Sequence, residues 1–136
     1  MIGKKNKAYF RAAKAVSELS DYPIHKVGCV IIDKHRIISS GCNSNSKCHP
    51  VQKRIDDNFF NTKCRGKVHA ETAALIPLIK SGVNLNNAVV YTYREHKNGK
   101  KAMARPCQRC MMLLKSCGIR KIKYTTELGY AEERIY

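Results

Sequence analysis

The sequence predicts an α/β domain: a mixed sheet of four to five strands with helices on both faces. Three observations carry this. Short β-branched apolar runs, VGCVIID (27–33) and NAVVYTYRE (87–95), read as strands. Segments 6–20, 68–82 and 106–118 carry helical spacing or helix-boundary residues. After an opening hairpin the two kinds alternate, in the order α-β-β-α-β-α-β, so an antiparallel pair stands beside strand–helix–strand crossovers. The 136 residues read as one domain, 1–136, long enough to bury a core without covalent staples.

In residues 6–20, Tyr9, Ala12, Ala13, Val16 and Leu19 fall at helical spacing, and Pro23 ends the helix. VGCVIID is a buried strand, Lys34 and His35 make the turn, and RIISSGCN (36–43) returns. Residues 44–67 are long for a connection, and such loops in compact domains are usually functional. VHAETAALIPLIKSG (68–82) is a helix closed by Gly82, with Pro77 expected to kink it. After the strand at 87–95 comes a polar turn around Asn98-Gly99. PCQRCMMLLKSCG (106–118) is a helix with Pro106 at its first position, and IRKIKYTT (119–126) is the next strand. Only ten residues follow Thr126, fewer than a parallel crossover needs. The tail is expected to turn at Gly129 and return antiparallel at Glu133–Tyr136.

Lysine and arginine number 26 against 10 acidic residues, a formal net charge of +16. Such a charge attracts polyanions: nucleic acid, nucleotides or an anionic membrane surface. A solvated, solubilising surface accounts for the same charge. No apolar run reaches the roughly 18 residues of a membrane span. The opening MIGKKNKAYF has a positive start but no apolar core of a secretory signal. With seven cysteines, an odd count, the expected setting is a reducing cytoplasm in which they are thiols or metal ligands.

Two short motifs carry the chemistry. His69-Ala70-Glu71 opens one helix, and Pro106-Cys107-Gln108-Arg109-Cys110 opens another. Cys107 and Cys110, three apart, share a helix face, and a helix start favours their thiolates. Alone, this pair could be a redox dithiol or half of a structural zinc site. His69 adds a third ligand and leaves a fourth position open, as catalytic zinc requires. Glu71, beside that position, can take a proton from a zinc-activated water and return it to a leaving amine. H-x-E…P-C-x-x-C, present here as HAE and PCQRC, is the pattern of zinc nucleobase deaminases.

On these residues the chain resembles the cytidine/deoxycytidylate deaminase superfamily. VGCVIID, the hairpin return ending in GCN, the HAE helix, VVYTYRE and the PCQRC helix follow that superfamily's order over most of the chain. The resemblance implies a three-layer α/β/α fold and one zinc ion held by His69, Cys107 and Cys110. It implies Glu71 as proton shuttle, Asn43 as a sugar contact and the Ala70 backbone as a partner of the base edge. It also implies a homo-oligomer. The short tail differs from deoxycytidylate and transfer-RNA adenosine deaminases, which continue into a parallel fifth strand. It is similar to the free-nucleoside, blasticidin-type and toxin branches.

Phe59-Phe60, in the long loop, can stack a base over the site or anchor the loop in the core. Cys48, His49 and Cys64 are candidates for a second, structural zinc, although no tight spacing supports one. Cys29 and Cys117 read as small core residues. The expected function is zinc-dependent hydrolytic deamination of a cytosine-type nucleoside or nucleotide. Two alternatives stand beside it: base editing in single-stranded DNA or RNA, and a non-catalytic zinc module that binds nucleic acid. The basic stretch leading into His69 argues that the substrate carries phosphate.

Overall fold

A computed structural model of the chain describes residues 3–23, 25–44 and 67–136. Phe59, Phe60, Cys48, His49 and Cys64 lie outside these residues. The elements are α1 (Lys4–Ser17), β1 (Val27–Asp33), β2 (Arg36–Cys42), α2 (Ala70–Ser81), β3 (Val89–Arg94), α3 (Gln108–Ser116), β4 (Lys121–Thr126) and β5 (Gly129–Arg134). The five strands form a mixed sheet in the order β2-β1-β3-β4-β5. β3 and β4 are parallel, and the remaining neighbours are antiparallel.

The alternation of the central strands separates two apolar layers. Val30 and Ile32 of β1, with Tyr91 and Tyr93 of β3, meet Phe10 and Ala13 of α1 on one face. Cys29, Ile31 and Val90 point the other way, into a core shared with Ala74, Leu75 and Leu78 of α2 and Leu114 of α3. The result is the three-layer α/β/α arrangement, with β1 and β3 buried on both faces, as their unbroken apolar runs require.

Two glycines let the helices sit close. A Cβ on Gly28 would strike the backbone of Ala13 and Ser17 in α1. One on Gly41 would lie 2.6 Å from Ala74 N and 2.8 Å from Ala70 O in α2. Gly41 thereby presses β2 against the first turns of α2, the stretch that carries the HAE motif.

Several boundaries move. α1 starts at Lys4 and ends at Ser17, so Leu19 lies outside it and is 77% exposed. The end comes from an anchor in space: Ser20 Oγ donates to Asn43 Oδ1 at 2.7 Å, several residues before Pro23. The buried aromatic of α1 is Phe10. Pro77 lies inside α2 without ending it, and Gly82 closes the helix in the left-handed region at φ 70°. α3 begins at Gln108 with Cys107 as its N-cap, so Pro106 precedes the helix instead of starting it. The tail returns antiparallel, as expected, but pairs at once: Thr126 faces Gly129 across a tight turn and Lys121 faces Arg134. Gly129 supplies the positive φ of that turn, at 140°, so the strand occupies 129–134 in place of 133–136. Cys29 is fully buried, whereas Cys117 is half-buried against the core. No helix among the described residues is long and apolar enough to cross a membrane.

Candidate active site

Both motif helices begin beside one another. His69 is the N-cap of α2, extended at φ −84° and ψ 157°. Cys107 is the N-cap of α3, extended at φ −66° and ψ 167°. Each carbonyl already accepts the first helical bond: Ala73 N–H donates to His69 O at 3.0 Å and Met111 N–H to Cys107 O at 2.8 Å. The extended residue before each helix swings its side chain off the helix surface, toward the other helix.

His69 Nδ1 consequently lies 3.3 Å from Cys110 Sγ and 3.6 Å from Cys107 Sγ. The three ligand atoms all fall within 4.8 Å of one another. Zinc bonds of about 2.3 Å to sulfur and about 2.0–2.1 Å to nitrogen make a tetrahedral S···N edge of about 3.5 Å. The spacing and the donor set therefore fit one zinc ion.

The electrostatics agree with a cation site. The Cys107 thiol is held down to about 3, chiefly by a hydrogen bond from the Cys110 thiol, against burial and with help from His69. Cys110, the donor in that bond and deeply buried, is pushed well above the usual thiol range. Cys107 is thereby favoured as the thiolate, the form zinc binds. Burial pulls His69 down, but the hydrogen bond and charge of Cys107, with the charge of Glu71, outweigh it and raise the imidazole.

Glu71 is 5% exposed, in the first turn of α2. Burial raises its carboxyl, while a hydrogen bond from Cys110 and the charge of His69 hold part of that rise back. A buried carboxyl with a raised pKa suits proton transfer near neutrality.

These residues open on a cavity of about 300 Å³. Its lining includes His69, Glu71 and Cys107, the expected Asn43 and Ala70, and Arg94 at the end of β3. Asn43 also braces the fold. Its Oδ1 accepts from Val27 N–H at 2.9 Å and its Nδ2 donates to His25 O at 2.5 Å. These bonds use one of its two amide hydrogens.

Sequence reasoning missed His25, Arg94, Met103 and Arg105 as wall residues. The wall residues Met103–Arg105 close an excursion between β3 and α3 that begins at Glu95. It folds back at a Glu95–Lys101 bridge and is tied down by Thr92 Oγ1 to Ala104 O at 2.7 Å and Thr125 Oγ1 to Ala102 O at 2.8 Å. A long polar turn in the sequence was the only signal of it.

The family described as "Cytidine and deoxycytidylate deaminase zinc-binding region" matches residues 3–126. A probable deoxycytidylate deaminase of Caenorhabditis elegans is 30% identical over 130 residues, which is 89% of this chain and 57% of that protein. The chain thus spans little more than half the length of this curated relative. Among solved structures, the deoxycytidylate deaminase of cyanophage S-TIM5 shares the fold at TM-score 0.66 and 22% identity, over 93% of this chain and 86% of that one. Cytidine deaminase from Burkholderia pseudomallei matches at TM-score 0.66 and 17% identity, over 95% and 91% of the two chains. With the family's zinc-binding region spanning both motif helices and the sheet between them, this chain belongs to the cytidine and deoxycytidylate deaminase family.

Proposed function

We propose that the protein hydrolytically deaminates a cytosine-type nucleoside or nucleotide, with His69, Cys107 and Cys110 holding zinc and Glu71 moving the protons. The observation that carries this reading is the placement of buried Glu71 beside a ligand triad of zinc-like spacing, on a cavity wall. A structural zinc module has no use for an unligated carboxylate there.

When bound, zinc supplies Lewis-acid activation of a water at neutral pH. Glu71 accepts that water's proton as the oxygen adds to the amine-bearing ring carbon. It then delivers a proton to the departing amine, so water and the amine become a carbonyl and ammonia. Ala70, adjoining Glu71 in the cavity wall, offers its backbone to the base edge. The cavity of about 300 Å³ lies at the small end of ligand pockets, which suits a single nucleoside or nucleotide.

The net charge of +16 favours a second reading, in which the base is presented on single-stranded nucleic acid. Ammonia release screened over cytidine, deoxycytidine, their monophosphates, adenosine, guanine and an oligonucleotide separates the two. The first reading expects turnover of a free cytosine compound with weak salt dependence. Turnover confined to the oligonucleotide and steeply lost in salt supports the second, and turnover of none of them overturns both.

A further inference from the structure

The cavity is lined by two arginines whose surroundings differ. Arg105 is gripped by Glu133, with Nε at 2.6 Å and Nη2 at 3.2 Å from its carboxylate oxygens. Its charge is answered within the fold. Arg94 meets no carboxylate among the described residues. Its Nη2 donates to His25 Nδ1 at 2.7 Å and its Nη1 reaches Met103 O at 3.4 Å. Its Nε–H is buried without an acceptor.

An arginine only donates, so His25 Nδ1 accepts and the neutral ring carries its proton on Nε2. That second N–H of His25 bonds nothing among the described residues. The His25 carbonyl is held by Asn43 Nδ2, which fixes this segment against the cavity. Two neighbouring donor groups, one of them an uncompensated guanidinium, therefore share a cavity with Glu71 and the ligand triad. The Nη hydrogens that His25 and Met103 leave unused can meet the oxygens of a phosphate.

We infer that Arg94 and His25 form a phosphate seat in this cavity, and that the base deaminated at Glu71 arrives on a phosphorylated nucleoside. The inference rests on the deaminase reading for its base end, while the seat itself stands on the Arg94 and His25 geometry. Asn43 positions the seat through the His25 carbonyl. Arg105, its charge already balanced by Glu133, adds little discrimination.

Steady-state kinetics on zinc-loaded protein test it, with deoxycytidine, deoxycytidine monophosphate and a short single-stranded oligodeoxycytidylate. The better phosphorylated substrate is expected to exceed deoxycytidine in kcat/KM by roughly 10- to 100-fold. Preference for the monophosphate assigns the seat to a free nucleotide, and preference for the oligomer assigns it to a phosphodiester. In Arg94→Gln that ratio is expected to collapse toward one, and His25→Gln, a change at an exposed residue, lowers it partway. Lys97→Gln, at an exposed lysine outside the cavity lining, keeps the wild-type ratio. A wild-type ratio near one overturns the inference, whatever the variants do. So does an unchanged ratio in both Arg94→Gln and His25→Gln. If no compound is deaminated, the functional reading fails and the seat is judged by titration with inorganic phosphate. Binding weakened roughly 10-fold or more by His25→Gln or Arg94→Gln upholds it, and equal affinity in all three proteins removes it.

Discussion

Cys110 is a proposed ligand whose thiol is held above the usual range by its hydrogen bond to Cys107 and by burial. Zinc binding needs the thiolate, so metal affinity falls as pH is lowered. A chelator-competition titration at several pH values is expected to show this, together with proton release on zinc uptake. Cys110→Ser is expected to leave the purified protein with far less than one zinc per chain by elemental analysis. Retention of a full zinc would remove Cys110 from the ligand set. At this scale the sequence was most legible where function imposes local spacing. HAE and PCQRC each place their groups within one helical turn, so residue types and intervals alone disclosed them. His25 and Arg94 were invisible in it because they touch across 69 positions of chain.

β2 and α2 meet through Gly41, whose missing side chain lets backbone approach backbone. Gly41→Ala places a methyl 2.6 Å from Ala74 N and 2.7 Å from Ala73 Cβ, neither of which can turn away. We expect it to cost about 1–3 kcal/mol in denaturant unfolding and to weaken zinc binding by moving His69. An unchanged unfolding midpoint would show that the interface yields more easily than described. On the opposite side, Arg105 and Glu133 join the cavity wall to β5. The Arg105 guanidinium, then the Tyr124 hydroxyl, hold the Glu133 carboxyl below its ordinary value. Because the folded pKa is the lower one, its stabilisation is present above the ordinary carboxylate range and disappears as pH falls through the depressed value. Both side chains are partly exposed, which limits the effect to at most about 1 kcal/mol. Glu133→Gln should lower the neutral-pH unfolding midpoint slightly, and the difference should close in acid. Element types and order could be read from the chain, since each run carries its own period. Boundaries could not, because they are set by partners in space. Ser20 bonding Asn43 ends the first segment, and the extended N-cap at Cys107 delays α3 past Pro106.

Across the whole molecule, β2 and β3 are both antiparallel to β1 and so run the same way, which brings the α2 and α3 starts to one end of the sheet, where the cavity lies. The sequence announced a mixed sheet with helices on both sides, because the chain order allows few other arrangements. It did not announce that β1 pairs with both β2 and β3, placing β2 at one edge and β5 at the other. Strand order is decided by which faces bury together, and VGCVIID is apolar on both. Nor did composition locate the charge. An excess of 16 positive charges says that anions are attracted, while only the fold shows Arg94 on the cavity wall with no carboxylate partner among the described residues.

The most direct measurement is ammonia release from a cytosine nucleoside or nucleotide by zinc-loaded wild-type protein and zinc-loaded Glu71→Gln, side by side. Wild-type protein is expected to yield equal amounts of ammonia and the uracil product. Glu71→Gln is expected to keep its zinc and lose about 10²- to 10⁴-fold in kcat. Undiminished ammonia release by the zinc-loaded variant, or none from the zinc-loaded wild type, would contradict the assignment of Glu71 as the proton carrier of a zinc deaminase.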